Sequence, residues 1–168
     1  MTDRDEESET RGLREIPREN PMIERKSMSP PSETQTGGCL CGQVRYEFER
    51  GSVLAAHHCH CTDCQKSTGC GRATILLVPS SGVHSSGELK TFTVRGSGGS
   101  HVTRGFCPEC GSPILSFVEE MADLKFIKAG SLDDPSWVEV VSSFWEDSAL
   151  PWSPVDADVP ALPGNPEA

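Results

Sequence analysis

The sequence lacks several features that would assign a chain to a broad class of protein. No apolar run approaches the roughly 18 residues that a membrane-spanning helix needs. The N-terminus has no apolar segment of the kind found in secretory signals, and it is too acidic for a mitochondrial transit peptide. We therefore expect a cytoplasmic protein, in which thiols stay reduced.

Positive charge is also scarce. The 168 residues include 15 Lys and Arg against 25 Asp and Glu, which gives a net charge of −10. Binding to nucleic-acid phosphates or to an anionic membrane surface requires a basic face. The composition therefore argues against nucleic acid and membrane as partners.

Composition divides the chain into a core and two tails. Residues 1–36 are rich in charge and poor in apolar clusters, so we expect this acidic N-terminal tail to be disordered. Residues 156–168 are rich in proline and are predicted to form a loose C-terminal tail. The remaining residues, 37–155, are predicted to form one domain.

The pattern of the core predicts a mainly β fold. Residues 44–48 alternate in polarity as a half-buried strand does, and the apolar run at 72–78 is typical of a strand buried on both faces. Gly, Ser, Pro and Asp interrupt the core too often for long helices, although a short helical turn is expected at 63–67. We predict seven or eight strands, the others at 89–94, 101–106, 113–117, 124–129 and 137–144.

Cysteine, in contrast, is abundant. Seven of the eight cysteines fall into three short groups, and in a reducing compartment such groups favour metal binding over disulfides. Zinc prefers tetrahedral coordination by thiolates. Gly42 and Gly111 follow the second cysteine of a pair and can adopt the positive φ that a metal-binding turn often needs. The groups are Cys39 and Cys41; Cys59, Cys61 and Cys64; and Cys107 and Cys110.

Seven thiols do not fill two four-coordinate sites. The simplest division is one closed site of four cysteines (Cys39, Cys41, Cys107 and Cys110) and one site of three (Cys59, Cys61 and Cys64) with an open position. A closed site is structural, whereas catalytic zinc needs an open position for water or substrate. One zinc ion with several free thiols, an iron–sulfur cluster and a disulfide framework remain as alternatives.

Residues near the central group extend this interpretation. His58 is a candidate fourth ligand that would close the three-cysteine site, and His60 either lines the wall of a substrate pocket or is solvated. Cys70 stands apart from the three groups and is interpreted as a buried or free thiol.

Several motifs together resemble one known family. The segments GGCLCGQVRYE, HCHCTDCQKSTG, FCPECGSPI, AGSLDDP and SALPW are similar, in order and spacing, to those of glutathione-dependent formaldehyde-activating enzymes and centromere protein V. The resemblance covers about 37–153. It implies a β-tent fold, in which small antiparallel sheets surround zinc, and a carbon–sulfur lyase activity on the adduct of formaldehyde and glutathione.

The resemblance also implies roles for individual residues. Cys39, Cys41, Cys107 and Cys110 match the family's structural zinc ligands, and Cys59, Cys61 and Cys64 match the ligands of its catalytic zinc. A glutathione site should offer cations to two carboxylates. The candidates near the motifs are Lys66, Arg72, Arg104 and Lys128.

Two functions follow as expectations. In the first, the three-cysteine site binds the sulfur of a small thiol such as glutathione, and the thiolate adds to or leaves a carbonyl carbon. Three thiolates on a divalent ion leave a net charge of −1, which favours thiol exchange over water activation. In the second, the chain is a non-catalytic zinc module that binds a protein or a small ligand.

Overall fold

The computed structural model describes residues 33–96 and 98–165. Within these ranges the chain forms eleven strands and a single α-helix, so the mainly β prediction is confirmed. The helix is α1 (Thr62–Thr68), and the strands are β1 (Thr34–Gly38), β2 (Arg45–Glu49), β3 (Ala55–Cys59), β4 (Ala73–Pro79), β5 (His84–Ser86), β6 (Lys90–Arg95), β7 (His101–Phe106), β8 (Pro113–Val118), β9 (Leu124–Lys128), β10 (Ser142–Phe144) and β11 (Ala161–Leu162).

Short 3₁₀ segments connect several of these strands. Each is three residues long and begins where the chain leaves a strand or a turn. They lie at Arg50–Ser52, Ser80–Gly82, Glu119–Met121, Ala129–Ser131 and Glu146–Ser148.

The strands form two sheets. The small sheet is antiparallel, with the order β1-β2-β5. The large sheet has the order β11-β10-β3-β4-β9-β8-β7-β6, and its pairs are antiparallel except for β11 with β10 and β10 with β3, which are parallel. This arrangement brings the end of β3, where the central cysteine group begins, to the middle of the large sheet.

One face of the large sheet forms the main core against the small sheet. Because successive side chains of a strand point to opposite faces, alternate residues of β4 and their neighbours on β8 and β9 share this face. Leu76, Val78 and Ile127 are fully buried there and cluster with Tyr46 and Phe48 of β2. Burying each such side chain contributes about 1.5–3 kcal/mol to folding.

The other face of β4 is only half-buried. Ile75 and Leu77 are intermediate in exposure and line a cavity described below, so the prediction that 72–78 is buried on both faces is wrong. The continuous apolar run reflects two different environments, a packed core and a cavity wall.

The ends of the domain differ from the predicted boundaries. β1 begins at Thr34, three residues before the predicted start at 37, because its backbone pairs with β2 from Thr34 opposite Glu49 onward. The segment predicted as a loose C-terminal tail contains β11, whose Ala161 and Leu162 pair with β10. The remainder of the predicted N-terminal tail lies outside the described residues.

Within the core, one predicted strand is shorter than expected and one strand was not predicted. Only Ser142–Phe144 of the predicted strand 137–144 is a strand. Trp137 instead packs from a loop against Phe48, with the Arg50 guanidinium 5.0 Å from its ring. The histidine-containing strand β3 was not predicted at all, because adjacent histidines at its centre break the alternation of polarity.

Candidate metal centres

Four cysteines from two hairpin turns form the first cluster. Cys39 and Cys41 lie in the turn between β1 and β2, and Cys107 and Cys110 lie in the turn between β7 and β8. The four Sγ atoms lie within 4.8 Å of one another, as the sequence predicted. The cluster therefore joins the small sheet to the large one.

The local backbone at these turns explains the glycine in each motif. Gly42 has a φ of 80° and Gly111 a φ of 73°, a conformation that residues with a Cβ rarely adopt. The chain can thereby reverse immediately after the second cysteine of each pair. Both glycines are in the positions that the sequence indicated for metal-binding turns.

The distances within this cluster fit zinc. The Cys39 and Cys41 Sγ atoms are 3.5 Å apart, and those of Cys41 and Cys107 are 3.7 Å apart. A tetrahedral ion with Zn–S bonds of ~2.3 Å requires sulfur atoms separated by about 3.8 Å. Four thiolates at this spacing complete a closed tetrahedral site, so the residues present fit a structural zinc ion.

Hydrogen bonds support thiolates at this site. The Val44 amide donates to Cys39 Sγ at 3.2 Å, and Ser112 Oγ lies 3.2 Å from Cys110 Sγ. The Ser112 side chain and backbone lower the pKa of Cys110 to about 5. Such groups stabilise the charged form that binds a metal.

Three cysteines form the second cluster. Cys59 ends β3, Cys61 is the N-cap of α1 and Cys64 lies in the first turn of α1, and all three are buried. Their Sγ atoms also lie within 4.8 Å of one another. In the described part of the chain, no fourth Cys, His, Asp or Glu joins them.

The second cluster is built from a strand end and a helix cap. Cys61 Sγ accepts a hydrogen bond from the Cys64 amide at 3.3 Å, and the helix ends at Gly69 in the left-handed conformation. Hydrogen bonds from the Cys59 and Cys64 thiols lower the pKa of Cys61 to about 2. The pKa of the Cys59 thiol rises because it forms hydrogen bonds to Cys61 and Cys64 and is buried.

This donor set fits zinc with one further ligand. Three thiolates supply three of the four positions of a tetrahedral zinc ion, and catalytic zinc sites keep the fourth for water or substrate. The prediction of one four-cysteine and one three-cysteine cluster agrees with the geometry. Both clusters fit zinc in ligand number and spacing.

The remaining cysteine and two histidines have other environments. All eight cysteines are free thiols, and Cys70 is exposed and belongs to neither cluster. His58 is buried with Nδ1 3.1 Å from Thr74 Oγ1, so it does not complete the three-cysteine cluster. His60 is fully buried and does not line the cavity described next, so its predicted role in a pocket wall is wrong.

A cavity of about 610 Å³ adjoins the three-cysteine cluster, and Cys59, Cys61 and Cys64 line it. Its floor is the second face of the large sheet. Most of its walls are apolar or aromatic, and these side chains are Ile75, Leu77, Val102, Val118, Met121, Phe126, Phe144 and Trp145.

Two of the four predicted cations line this cavity. Arg104 Nη2 lies 3.8 Å from Asp63 Oδ2, and the Arg104 side chain is largely buried. Lys128 is 7% exposed, and burial lowers its pKa although the nearby thiolates oppose this shift. Lys66 does not line this cavity. Arg72 lines a second cavity of about 530 Å³ beside Cys39.

His57 is a cavity residue that the sequence did not reveal. Its Nδ1 lies 2.8 Å from Ser142 Oγ, and its ring stacks on Phe144 with centroids 4.5 Å apart. Burial lowers the pKa of His57, so the imidazole is neutral near pH 7. A signal was available, because His57 and Cys59 are alternate residues of β3 and therefore lie on the same face.

A comparison with known protein families found a match over most of the chain. Residues 34–148 match the family model described as glutathione-dependent formaldehyde-activating enzyme. A crystal structure of a Rhodobacter sphaeroides protein is similar over 58% of this chain and 87% of its own, with 20% identity and a TM-score of 0.46. No curated protein sequence matches at a significant level.

The described helix is too short and too polar to cross a membrane.

The family match spans both cysteine clusters and ten of the eleven strands, β1 to β10. The chain therefore belongs to the family of glutathione-dependent formaldehyde-activating enzymes.

Proposed function

We propose that this protein is a zinc-dependent carbon–sulfur lyase-type enzyme that forms or cleaves the adduct of a small thiol and a carbonyl compound at the three-cysteine cluster. One observation supports this most strongly. A cluster with three of the four ligands that zinc requires opens into a cavity of about 610 Å³, large enough for a small organic molecule.

The proposed reaction is balanced without a redox partner. In the forward direction the thiol sulfur loses its proton and forms a bond to the carbonyl carbon, the carbon–oxygen π bond breaks, and the oxygen gains a proton. The reverse direction breaks the carbon–sulfur bond and restores the carbonyl group and the thiol. When bound, zinc supplies a position at which a substrate thiol is held as its thiolate.

Residues of the chain supply the electrostatic environment. Zinc with three thiolates carries a net charge of −1, which weakens it as a Lewis acid unless cations lie near. Lys128 is buried beside the three thiols, and Arg104 lines the same cavity. These cations favour an additional thiolate in the cavity, because opposite charges attract strongly where water is excluded.

The reaction also requires thiols that stay reduced. The apolar walls of the cavity offer few groups that hold water beside the carbonyl carbon. All the cysteines are free thiols, and free thiols persist in the cytoplasm, where we place the reaction. The proposed partner is a small-molecule thiol, the class to which glutathione belongs.

The test combines a panel of thiols and aldehydes with two cysteine variants. The zinc-loaded protein is incubated with glutathione, 2-mercaptoethanol or butanethiol and with formaldehyde or a longer aldehyde, and adduct formation is followed by NMR. We expect exchange between adduct and free aldehyde to be faster with wild type or Cys70→Ser than without protein. Cys70 is the control position because it is exposed and belongs to neither cluster. Cys64→Ser should abolish the acceleration while leaving the fold intact by circular dichroism.

Two results would contradict this proposal, and the first would support the non-catalytic zinc module instead. If wild-type protein carries zinc at both clusters and accelerates no exchange with any thiol, the lyase proposal is wrong. If Cys64→Ser accelerates exchange as well as wild type does, the chemistry does not take place at the three-cysteine cluster.

A further inference from the structure

The geometry points to a substrate adduct with an apolar alkyl or aryl body, rather than the adduct of glutathione. This inference rests on the proposed function, since it assigns a substrate class to the same cavity. It depends on where the large sheet places charged and apolar side chains relative to the three thiols.

The cavity floor is ordered in rows across the large sheet. Nearest to Cys59, His57 pairs with Ile75, and Ile75 pairs with Lys128. In the next row Leu77 pairs with Phe126. Rows on one face are two residues apart, which is about 7 Å along a strand. On β4 and β9, the row next to that of Ile75 and Lys128 is therefore apolar.

On the neighbouring strands β8 and β7 the same row is polar. Ser116 pairs with Phe126 on one side and with Arg104 on the other. In the row beyond, Val102 pairs with Val118, and both line the cavity. A molecule whose sulfur lies at the cysteine cluster would therefore extend over Ile75 and Phe126 toward two valines.

The cations of the cavity already face anionic partners. The Arg104 guanidinium lies 3.8 Å from the carboxylate of Asp63, a residue between two of the cysteines. Lys128 lies beside the thiols of the same cluster. Lys128 thus balances the thiolates, and Arg104, which shares the row of Phe126, faces the carboxylate of Asp63.

Glutathione would meet an unfavourable environment here. Its two carboxylates lie at its two ends, several bonds from the sulfur, and would reach the apolar rows. The cavity also contains the carboxylates of Asp63 and Glu120, and Glu120 accepts hydrogen bonds from His101 at 3.1 Å. Burying a carboxylate against apolar side chains without a free cation is costly. An alkyl or aryl body would gain from the same walls.

The experiment measures thiol binding to the zinc-loaded protein by calorimetry, with Cys64→Ser as the blank. The probes are ethanethiol, propanethiol, butanethiol and glutathione. Each added methylene should tighten the dissociation constant about fourfold, because burial of a CH₂ group is worth about 0.8 kcal/mol. Glutathione should bind more weakly than butanethiol.

A pair of phenylalanine variants locates the binding. Phe126→Ala should weaken the dependence on chain length, because Phe126 lines the cavity. Phe92→Ala is the matched control, since Phe92 is exposed on β6 and does not line the cavity. The chain-length series on wild type stands on its own if Phe126→Ala fails to fold. A parallel series of aldehydes with 2-mercaptoethanol shows whether the apolar body belongs to the thiol or to the carbonyl compound.

The outcomes separate this inference from the proposed function. Affinity and turnover that do not change with chain length in either series, or glutathione bound as tightly as butanethiol, would overturn the apolar assignment even if adducts are turned over. Chain-length-dependent binding without turnover of any adduct would uphold it and overturn the lyase proposal. If no thiol binds above the Cys64→Ser blank, both are wrong.

Discussion

Replacing Cys107 with serine should destabilise the domain far more than replacing Cys64 with serine. Cys107 is fully buried and belongs to the four-cysteine cluster, whose ligands come from two hairpins in different sheets. Cys64 belongs to the cluster formed by residues 59–64. A metal ion in the first cluster links distant strands, whereas an ion in the second links residues that are already neighbours in the chain.

The magnitude follows from the length of chain that the first cluster closes. Cys41 and Cys107 are separated by 66 residues. A cross-link that closes a loop of this length restricts the unfolded chain by about 4 kcal/mol in the loop-entropy model. Small domains are stable by only about 5–15 kcal/mol, so loss of this link removes a large part of the total.

The assay is urea unfolding of the zinc-loaded protein, followed by tryptophan fluorescence. With a urea dependence of about 2 kcal/mol per molar, Cys107→Ser should lower the midpoint by about 2 M or prevent folding altogether. Cys64→Ser should shift the midpoint by less than half as much, and Cys70→Ser should leave it unchanged. Equal shifts for Cys107→Ser and Cys64→Ser would refute the assignment of a structural role to the first cluster alone.

Three further predictions concern single side chains. Lys128→Met should lower thiol affinity about tenfold by calorimetry, because a nearby cation shifts the pKa of a thiolate by about one unit or more. Lys90→Met, at an exposed site, should leave the thiol affinity unchanged. Gly111→Ala should cost about 1 kcal/mol in urea unfolding because its φ is 73°, whereas Gly130→Ala meets open space at an ordinary φ and should cost less. Gly37→Ala should lower the free energy of unfolding by about 2 kcal/mol or more in the same assay, since a Cβ would collide with the Tyr46 ring and a backbone carbonyl. An unfolding midpoint equal to that of wild type would contradict this close approach.

Local patterns predicted most of the large sheet and the central strand of the small sheet. β2, β4, β6, β7, β8 and β9 lie where apolar residues alternate or run together between turn residues. β1 was not predicted, because the strand TQTGG has no large apolar residue. It forms because Gly37 allows the backbone to approach Tyr46 and Ser131 closely, a contact between residues far apart in the sequence.

The two cysteine clusters were predictable because each pair or triplet is local and because seven thiols divide simply between two sites. The cavity was not predictable, because its walls come from strands β3, β4, β7, β8, β9 and β10, from α1 and from Asn165 near the C-terminus. Half-buried residues such as Ile75 and Phe126 have the same sequence signature as core residues. Only the pairing of strands shows that they share a face with Lys128 rather than with the main core.

The central claim, that one cluster is closed and the other has an open position, is tested most directly by counting zinc. Elemental analysis of purified wild type should give two zinc ions per chain, and Cys64→Ser should give one while remaining folded. A single zinc ion in wild type, or loss of both ions from Cys64→Ser, would contradict the account.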